Sequence, residues 1–283
     1  MSRIRGAMLY NTVKLKSNAA AVIAFSSYCA ACGSCTFAQV QSHPLTRDYR
    51  YGPDRNYDLK HVLLELTIDY PHRKFNGNVQ NTIVPFRNGM KSIILNCGAN
   101  LRIESCAVNG KDATFVHEGE FIRISPPLRL IAGKRAIVKT CYSSSVTGNK
   151  PASNADVGFH WIVPSGGEQN QVGFWTQGET QQNHKWVPTW DYPNSLATSE
   201  TRTTVPADWT VIGNGELIAN TLCPTAKART YVWRMRQPHA TYLLSLVGGP
   251  FEVKKVKWRG IQVMYVVPQR RSNLIDDSFA KSG

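Results

Sequence analysis

The sequence is short of acid: 19 Asp and Glu stand against 33 Lys and Arg, a net charge of +14 over 283 residues. It also lacks a run long enough to cross a bilayer, because the Ala-rich stretch from Ala19 to Ala31 is short and broken by Ser and Cys. No long amphipathic helix pattern appears before Ser272 to Lys281, so an all-helical architecture is excluded. There is no Gly-rich phosphate loop and no arguable Ser-His-Asp set. The seven histidines (His43, His61, His72, His117, His160, His184, His239) form no pair at metal-ligand spacing.

The basic excess does not point to nucleic acid. Its densest run, Lys254-Lys255-Val256-Lys257-Trp258-Arg259, alternates charged with apolar residues, as a strand and its turn do. An aromatic share of 10% supplies a core, so the chain is expected to fold.

The first forty residues have the three-part grammar of a secretory leader. Arg3, Arg5, Lys14 and Lys16 precede the apolar run, and Thr36-Phe37-Ala38 offers a small-x-small cleavage pattern. Export is therefore expected, to the periplasm or outside the cell, with a mature chain from about Gln39. Cys29, Cys32 and Cys35 form C-x-x-C-x-x-C, but inside this leader and without a nearby fourth ligand they do not read as a metal site. A lipid anchor at Cys32 or Cys35 would favour a Leu three residues upstream, which neither has. The remaining Cys97, Cys106, Cys141 and Cys223 allow one or two disulfides or buried free thiols.

From Tyr57 onward the pattern is strand after strand. Asp58 to Asp69 places Leu64, Leu66 and Ile68 on one face, and Pro71 to Gly77 reads as the turn of a hairpin to Asn78–Val84. Asn109-Gly110 and Glu118-Gly119 are tight-turn dipeptides. Further strands are expected at 92–95, 101–108, 114–117, 121–124, 135–141, 158–163, 172–176, 199–205, 210–219, 230–236, 242–247, 251–257 and 261–267. Turn signals every 8 to 12 residues are the spacing of a β-sandwich.

The stretch TQGETQQNHKWVPTWDYPN (Thr176–Asn194) interrupts this rhythm with a loop dense in Trp, Pro and acid, and long loops tend to be functional. Thr176, Gln177, Glu179, Pro188, Trp190, Asp191 and Pro193 fall where the aminopeptidase N family of gluzincin zinc metallopeptidases carries T-Q-x-E-A-x-x-A-R-x-x-F-P-C-W-D-E-P. Val108-Asn109-Gly110 resembles the V-N-G hairpin of that family's N-terminal domain. Tyr242-Leu-Leu-Ser-Leu-Val-Gly-Gly-Pro-Phe251 is similar to its Y-L-x-A-F-x-x-G-x-F strand pair. The resemblance covers nearly all of the chain from Tyr57. It implies a saddle-shaped, mostly antiparallel, all-β domain packed on a thermolysin-like catalytic domain.

It also implies roles. The residue matching Glu179 holds the free α-amino group of a peptide substrate through charge-assisted hydrogen bonds, with Gln177 beside it. Outside such a motif Glu179 would be an ordinary solvated carboxylate. Pro188, Trp190, Asp191 and Pro193 read as a rigid turn whose Trp packs inward and whose Asp accepts backbone hydrogen bonds. His184 replaces a common Arg, Thr189 a common Cys and Tyr192 a common Glu, while Gly178 and Thr180 are expected to loosen the surroundings of Glu179.

The family's zinc needs H-E-x-x-H and a downstream Glu, since two His one helical turn apart face one metal and the Glu activates its water. The nearest string, His117-Glu118-Gly119-Glu120-Phe121, lacks the second His and falls in an expected hairpin. The G-x-M-E-N exopeptidase loop is absent too. The chain therefore reads as leader (1–38), linker (39–56), β domain (57–260) and the start of a catalytic domain (261–283), truncated before the zinc machinery. No cofactor is expected in the chain itself, although the full-length family uses zinc. It is not expected to cleave peptides alone; it would engage a peptide N-terminus only with a catalytic-domain polypeptide, and no nucleic acid. The other reading is an independent secreted β-sandwich that binds peptide or glycan.

Overall fold

A computed structural model describes residues 53–144, 158–164 and 171–275. The expected leader, the Cys29/Cys32/Cys35 triplet and most of the linker lie outside the described residues, as do residues 276–281 of the expected C-terminal helix.

In chain order the strands are β1 (Tyr57–Asp69), β2 (Lys74–Pro85), β3 (Ile93–Asn96), β4 (Leu101–Val108), β5 (Lys111–Asp112), β6 (Thr114–Glu118), β7 (Phe121–Ser125), β8 (Ala136–Ser144) and β9 (Gly158–Ile162). They continue with β10 (Gly173–Gln177), β11 (Leu196–Pro206), β12 (Thr210–Gly213), β13 (Glu216–Cys223), β14 (Ala228–Ala240), β15 (Leu246–Gly249), β16 (Phe251–Trp258) and β17 (Ile261–Pro268). Short 3-10 turns occupy Asn183–Lys185, Thr241–Leu243 and Gln269–Leu274.

One long sheet runs β13-β14-β11-β1-β2-β8-β4-β5, with β1 and β11 parallel and its other pairs antiparallel. A four-stranded sheet (β12-β15-β10-β9), a three-stranded sheet (β3-β7-β6) and the lone hairpin β16-β17 complete the fold. The all-β, mostly antiparallel expectation is thus met.

The sequence explains which face is buried. In β1, Leu64, Leu66 and Ile68 point inward as expected, and a bulge between Leu59 and His61 shifts the alternation so that Tyr57, Leu59 and Val62 join them. Ile93, Leu95, Ile122 and Ile124 of the three-stranded sheet, and Phe174, Val211 and Leu246 of the four-stranded one, share a single core with these residues. Phe159 sits among aromatic rings there, 4.7 Å from Phe75 and 5.0 Å from Phe174 between centroids.

Three local expectations need correction. Lys74–Gly77 is strand, not turn: Gly77 lies under the ring of Tyr142, where a Cβ would come within 2.2 Å of Cζ, so this glycine marks a close approach within β2. The run 210–219 splits in two at Gly215 (φ 84°), β12 going to the four-stranded sheet and β13 to the long one. Residues 242–247 begin as a 3-10 turn, and β15 starts only at Leu246. Cys97, Cys106, Cys141 and Cys223 are free; burial pushes the Cys106 thiol up to about 12, and that of Cys97 upward as well.

Candidate functional site

Strand β10 ends at Gln177, half-buried on the same side of the strand as Trp175, and the chain leaves the sheet there. Glu179, Thr180 and Gln181 are exposed; from Asn183 to Asp191 every residue except Lys185 is buried. The loop is therefore an exposed tip on a buried knot. The Glu179–Thr180 peptide bond is cis, and Gln181 takes a left-handed conformation (φ 63°).

Gly178 does not loosen the tip. It is buried, and a Cβ there would lie 2.3 Å from both Asn183 Oδ1 and the Tyr242 carbonyl oxygen. Its carbonyl accepts the Gln182 N–H at 2.9 Å, closing the turn that carries Glu179.

Asn183 is the centre of the knot. Its Nδ2 donates to the carbonyls of Thr241 (2.5 Å) and Leu244 (2.8 Å), and its Oδ1 accepts from Trp186 Nε1 (2.8 Å). It is fully buried, so three polar groups that water cannot reach are satisfied by one side chain. These two captured carbonyls also explain why residues 241–244 turn instead of extending as strand.

His184 is the second centre. Its backbone N–H and Nδ1 both bond Asp191 Oδ2, at 3.0 and 2.8 Å, while Nε2 lies 2.8 Å from Glu120 Oε2. Two carboxylates on two ring nitrogens are satisfied in full only by the imidazolium. Burial opposes that charge, but the bonds and charges of Asp191 and then Glu120 together outweigh it, so His184 is held above its ordinary value. The residue standing where the family favours Arg is thus biased toward its charged form by the two acids that flank it.

Asp191, with none of its surface exposed, is also held from its backbone side: its N–H donates to Asn96 Oδ1 at 3.0 Å. Thr241 Oγ1 donates to the Trp190 carbonyl at 2.7 Å. Buried Pro188 gives its carbonyl to Asn81 Nδ2 (3.0 Å), and Thr189 Oγ1 donates to Asn81 Oδ1 (2.7 Å). Trp190 is 4% exposed, sets its Nε1 on Asn194 Oδ1 at 2.8 Å and meets Tyr57 edge-on. Pro193 is exposed at the end of the turn.

The structure thus separates the site residues singled out from sequence. Glu179 lies at the exposed tip and Gln177, half-buried, at the end of β10; Pro188, Trp190 and Asp191 lie in the knot, and Pro193 is exposed beyond it. Asn81, Asn96, Glu120, Asn183, His184 and Thr241 complete the knot, and of these only His184 stood out in the sequence, as a departure from the family's Arg. Glu179 itself makes no hydrogen bond or ion pair to another described residue. An open groove of about 860 Å³ lies beneath Trp190 and Tyr192, but neither Gln177 nor Glu179 lines it.

Among the described residues no group of three His, Cys, Asp or Glu is arranged to hold a metal. The nearest cluster, His184 with Asp191 and Glu120, does not fit zinc: both ring nitrogens already face carboxylates, so no lone pair is left for coordination.

A family model for the peptidase M1 N-terminal domain matches residues 53–243. The chain belongs to that family. Among curated relatives, leukotriene A-4 hydrolase of Xenopus laevis is 26% identical over 218 residues, covering 73% of this chain and 34% of the relative. This M1 chain therefore spans about a third of that relative's length.

Solved M1 zinc metallopeptidases of Deinococcus radiodurans share the fold. One, a point mutant bound to a Tyr-Ser-Ala substrate, superposes with a TM-score of 0.61 at 21% identity over 75% of this chain and 47% of its own. Another gives 0.61 at 21% identity over 80% and 54%.

Proposed function

We propose that this M1 chain is the non-catalytic N-terminal portion of a secreted zinc aminopeptidase and that Glu179 receives the α-amino group of the peptide substrate. The observation that carries this reading is the carboxylate of Glu179, which bonds no other described residue and stands exposed at the tip of a turn whose anchors Asn183 and His184 are buried and hydrogen-bonded. A carboxylate held this way is pre-organised for an ammonium: the turn's entropy is already lost on folding, so less is lost on binding. Gln177 supplies a neutral hydrogen-bonding neighbour at the end of β10. A fixed carboxylate measures one residue from the chain terminus, which is how an exopeptidase differs from an endopeptidase.

Zinc and the water-activating Glu belong, on this reading, to a catalytic-domain polypeptide carrying H-E-x-x-H. When bound there, zinc polarises the scissile carbonyl and its water. The role of this chain is to bind and orient. Secretion rests on the leader grammar of residues 1–38.

The test is a polypeptide joining this chain to an H-E-x-x-H domain of the family. Glu179→Ala is expected to lower kcat/KM on aminoacyl reporter substrates about 10- to 100-fold, the worth of a charge-assisted hydrogen bond, while leaving the melting temperature unchanged. Equal activity in the variant, or chelator-sensitive amino-acid release by the 283-residue chain alone, contradicts the reading.

A further inference from the structure

His184 lies where three segments meet. Its carbonyl accepts the Gly98 N–H at 2.8 Å from the loop after β3, its Nδ1 faces Asp191, and its Nε2 reaches Glu120 in the two-residue turn Gly119-Glu120 between β6 and β7. The two acids stand in opposite surroundings. The Asp191 side chain has no exposed surface and also accepts the His184 backbone N–H, whereas the Glu120 side chain is 49% exposed and its other oxygen accepts the Ala99 N–H at a long 3.5 Å.

A neutral imidazole has one N–H and one lone pair, so it can donate to only one of the two acids. Taking the donor from Asp191 would leave a carboxylate short of a partner where water cannot reach it; taking it from Glu120 lets an exposed side chain turn to solvent. The proton of the neutral ring therefore stays on Nδ1, and the Nε2 lone pair then faces the Glu120 carboxylate, acceptor against acceptor. The bond lost on deprotonation is the one to the β6-β7 turn. The other titratable groups nearby are engaged elsewhere. Lys185, on the same turn as His184, lays its stem against Gly158 of β9, and the His160 ring of that strand stacks on Trp175 at 4.2 Å. Cys97, in the loop after β3, is held neutral by burial, and His117 of β6 turns its Nε2 to the Cys97 carbonyl at 3.2 Å. Burial of the His184 ring opposes its charge, but Asp191 and then Glu120 outweigh that effect.

The turn that Glu120 occupies also has a place in the groove beneath Trp190 and Tyr192, because its flanking residues Glu118 and Phe121 line that groove. We propose that His184 is a proton-operated clasp: charged, it pins the β6-β7 turn, and with it one wall of the groove, to the knot at residues 183–191; neutral, it lets the turn go. The Arg that the family favours at this place does not titrate in this range and would make the contact permanent, whereas histidine makes it reversible. Because the two acids raise the ring above its ordinary 6.5, the clasp is closed near pH 6 and is released as pH rises through the raised value. It depends on these contacts alone, whether or not Glu179 anchors an amine.

The test is an NMR titration of the full 283-residue chain from pH 6 to pH 9, in which ring nitrogen shifts report the His184 proton and amide hydrogen exchange, corrected for its intrinsic pH dependence, reports the turn. Protection of the Gly119, Glu120 and Phe121 amides is expected to fall about two- to fivefold with the midpoint of the ring titration, a modest change because Glu120 is half exposed. His184→Arg is expected to keep the protection at pH 9. Glu120→Ala, a change at an exposed position that leaves the fold in place, is expected to show the lower protection at both ends of the range, and it decides the matter if the Arg variant does not fold. Protection in the parent that is the same at pH 6 and pH 9, a fall that persists in Glu120→Ala, or a fall whose midpoint departs from that of the ring overturns the clasp. A neutral ring that carries its proton on Nε2 overturns it as well.

Discussion

Asn183 is a single amide on which two separate stretches of backbone depend, because its side chain satisfies the Thr241 and Leu244 carbonyls and the Trp186 indole at once. Asn183→Ala orphans all three in a place without water, and we expect urea unfolding to show a loss of about 2–4 kcal/mol. An unchanged midpoint would remove the knot from the account. His184 offers a sharper signature. Its folded value is raised above the ordinary 6.5, so its ionic contribution is fully present below about pH 6.5 and is lost as pH rises through the raised value. The stability gap between the parent and His184→Gln should therefore be wide near pH 6 and narrow toward pH 9 in paired urea melts. A gap that widens with pH would mean that His184 is buried neutral. Neither residue announced its role in the sequence. Asn183 and Thr241 are 58 residues apart, His184 and Glu120 64, Asp191 and Asn96 95, and Thr189 and Asn81 108, so these bonds exist only once the sheets have paired. Glu179, in contrast, was singled out by its place in the family-like motif, and the structure adds that it stands exposed at the tip of the loop.

At the scale of the element, alternation identified most of the strands, and it did so because one face of the long sheet is buried and the other is not. It failed where tertiary contacts choose the conformation. Residues 242–247 have strand composition, yet Asn183 holds the carbonyls of Thr241 and Leu244 in a turn. Gly77 reads as a turn residue until Tyr142 is found lying across it. The same contact yields a prediction: Gly77→Ala must displace the Tyr142 ring, whose hydroxyl donates to the Trp186 carbonyl at 2.7 Å, and should cost about 2–3 kcal/mol in denaturant unfolding. A neutral or stabilising result would show that β2 and β8 can separate there without loss.

For the whole molecule, the long sheet and the two smaller ones share a core in which both the position and the rigidity of the 177–194 loop originate. The knot draws on β2, β3 and the turns before β7 and β15, so the tip is fixed from several sheets at once. This division, a hydrogen-bonded scaffold behind the exposed carboxylate of Glu179, is what a domain needs if it contributes recognition to chemistry performed elsewhere. The most direct measurement is the ratio of kcat/KM for a free-amine peptide to that for its N-acetylated form, in a polypeptide that joins this chain to an H-E-x-x-H domain. The account predicts strong preference for the free amine in the parent and a ratio that collapses by about 10- to 100-fold in Glu179→Ala. A ratio unchanged by that substitution would contradict it.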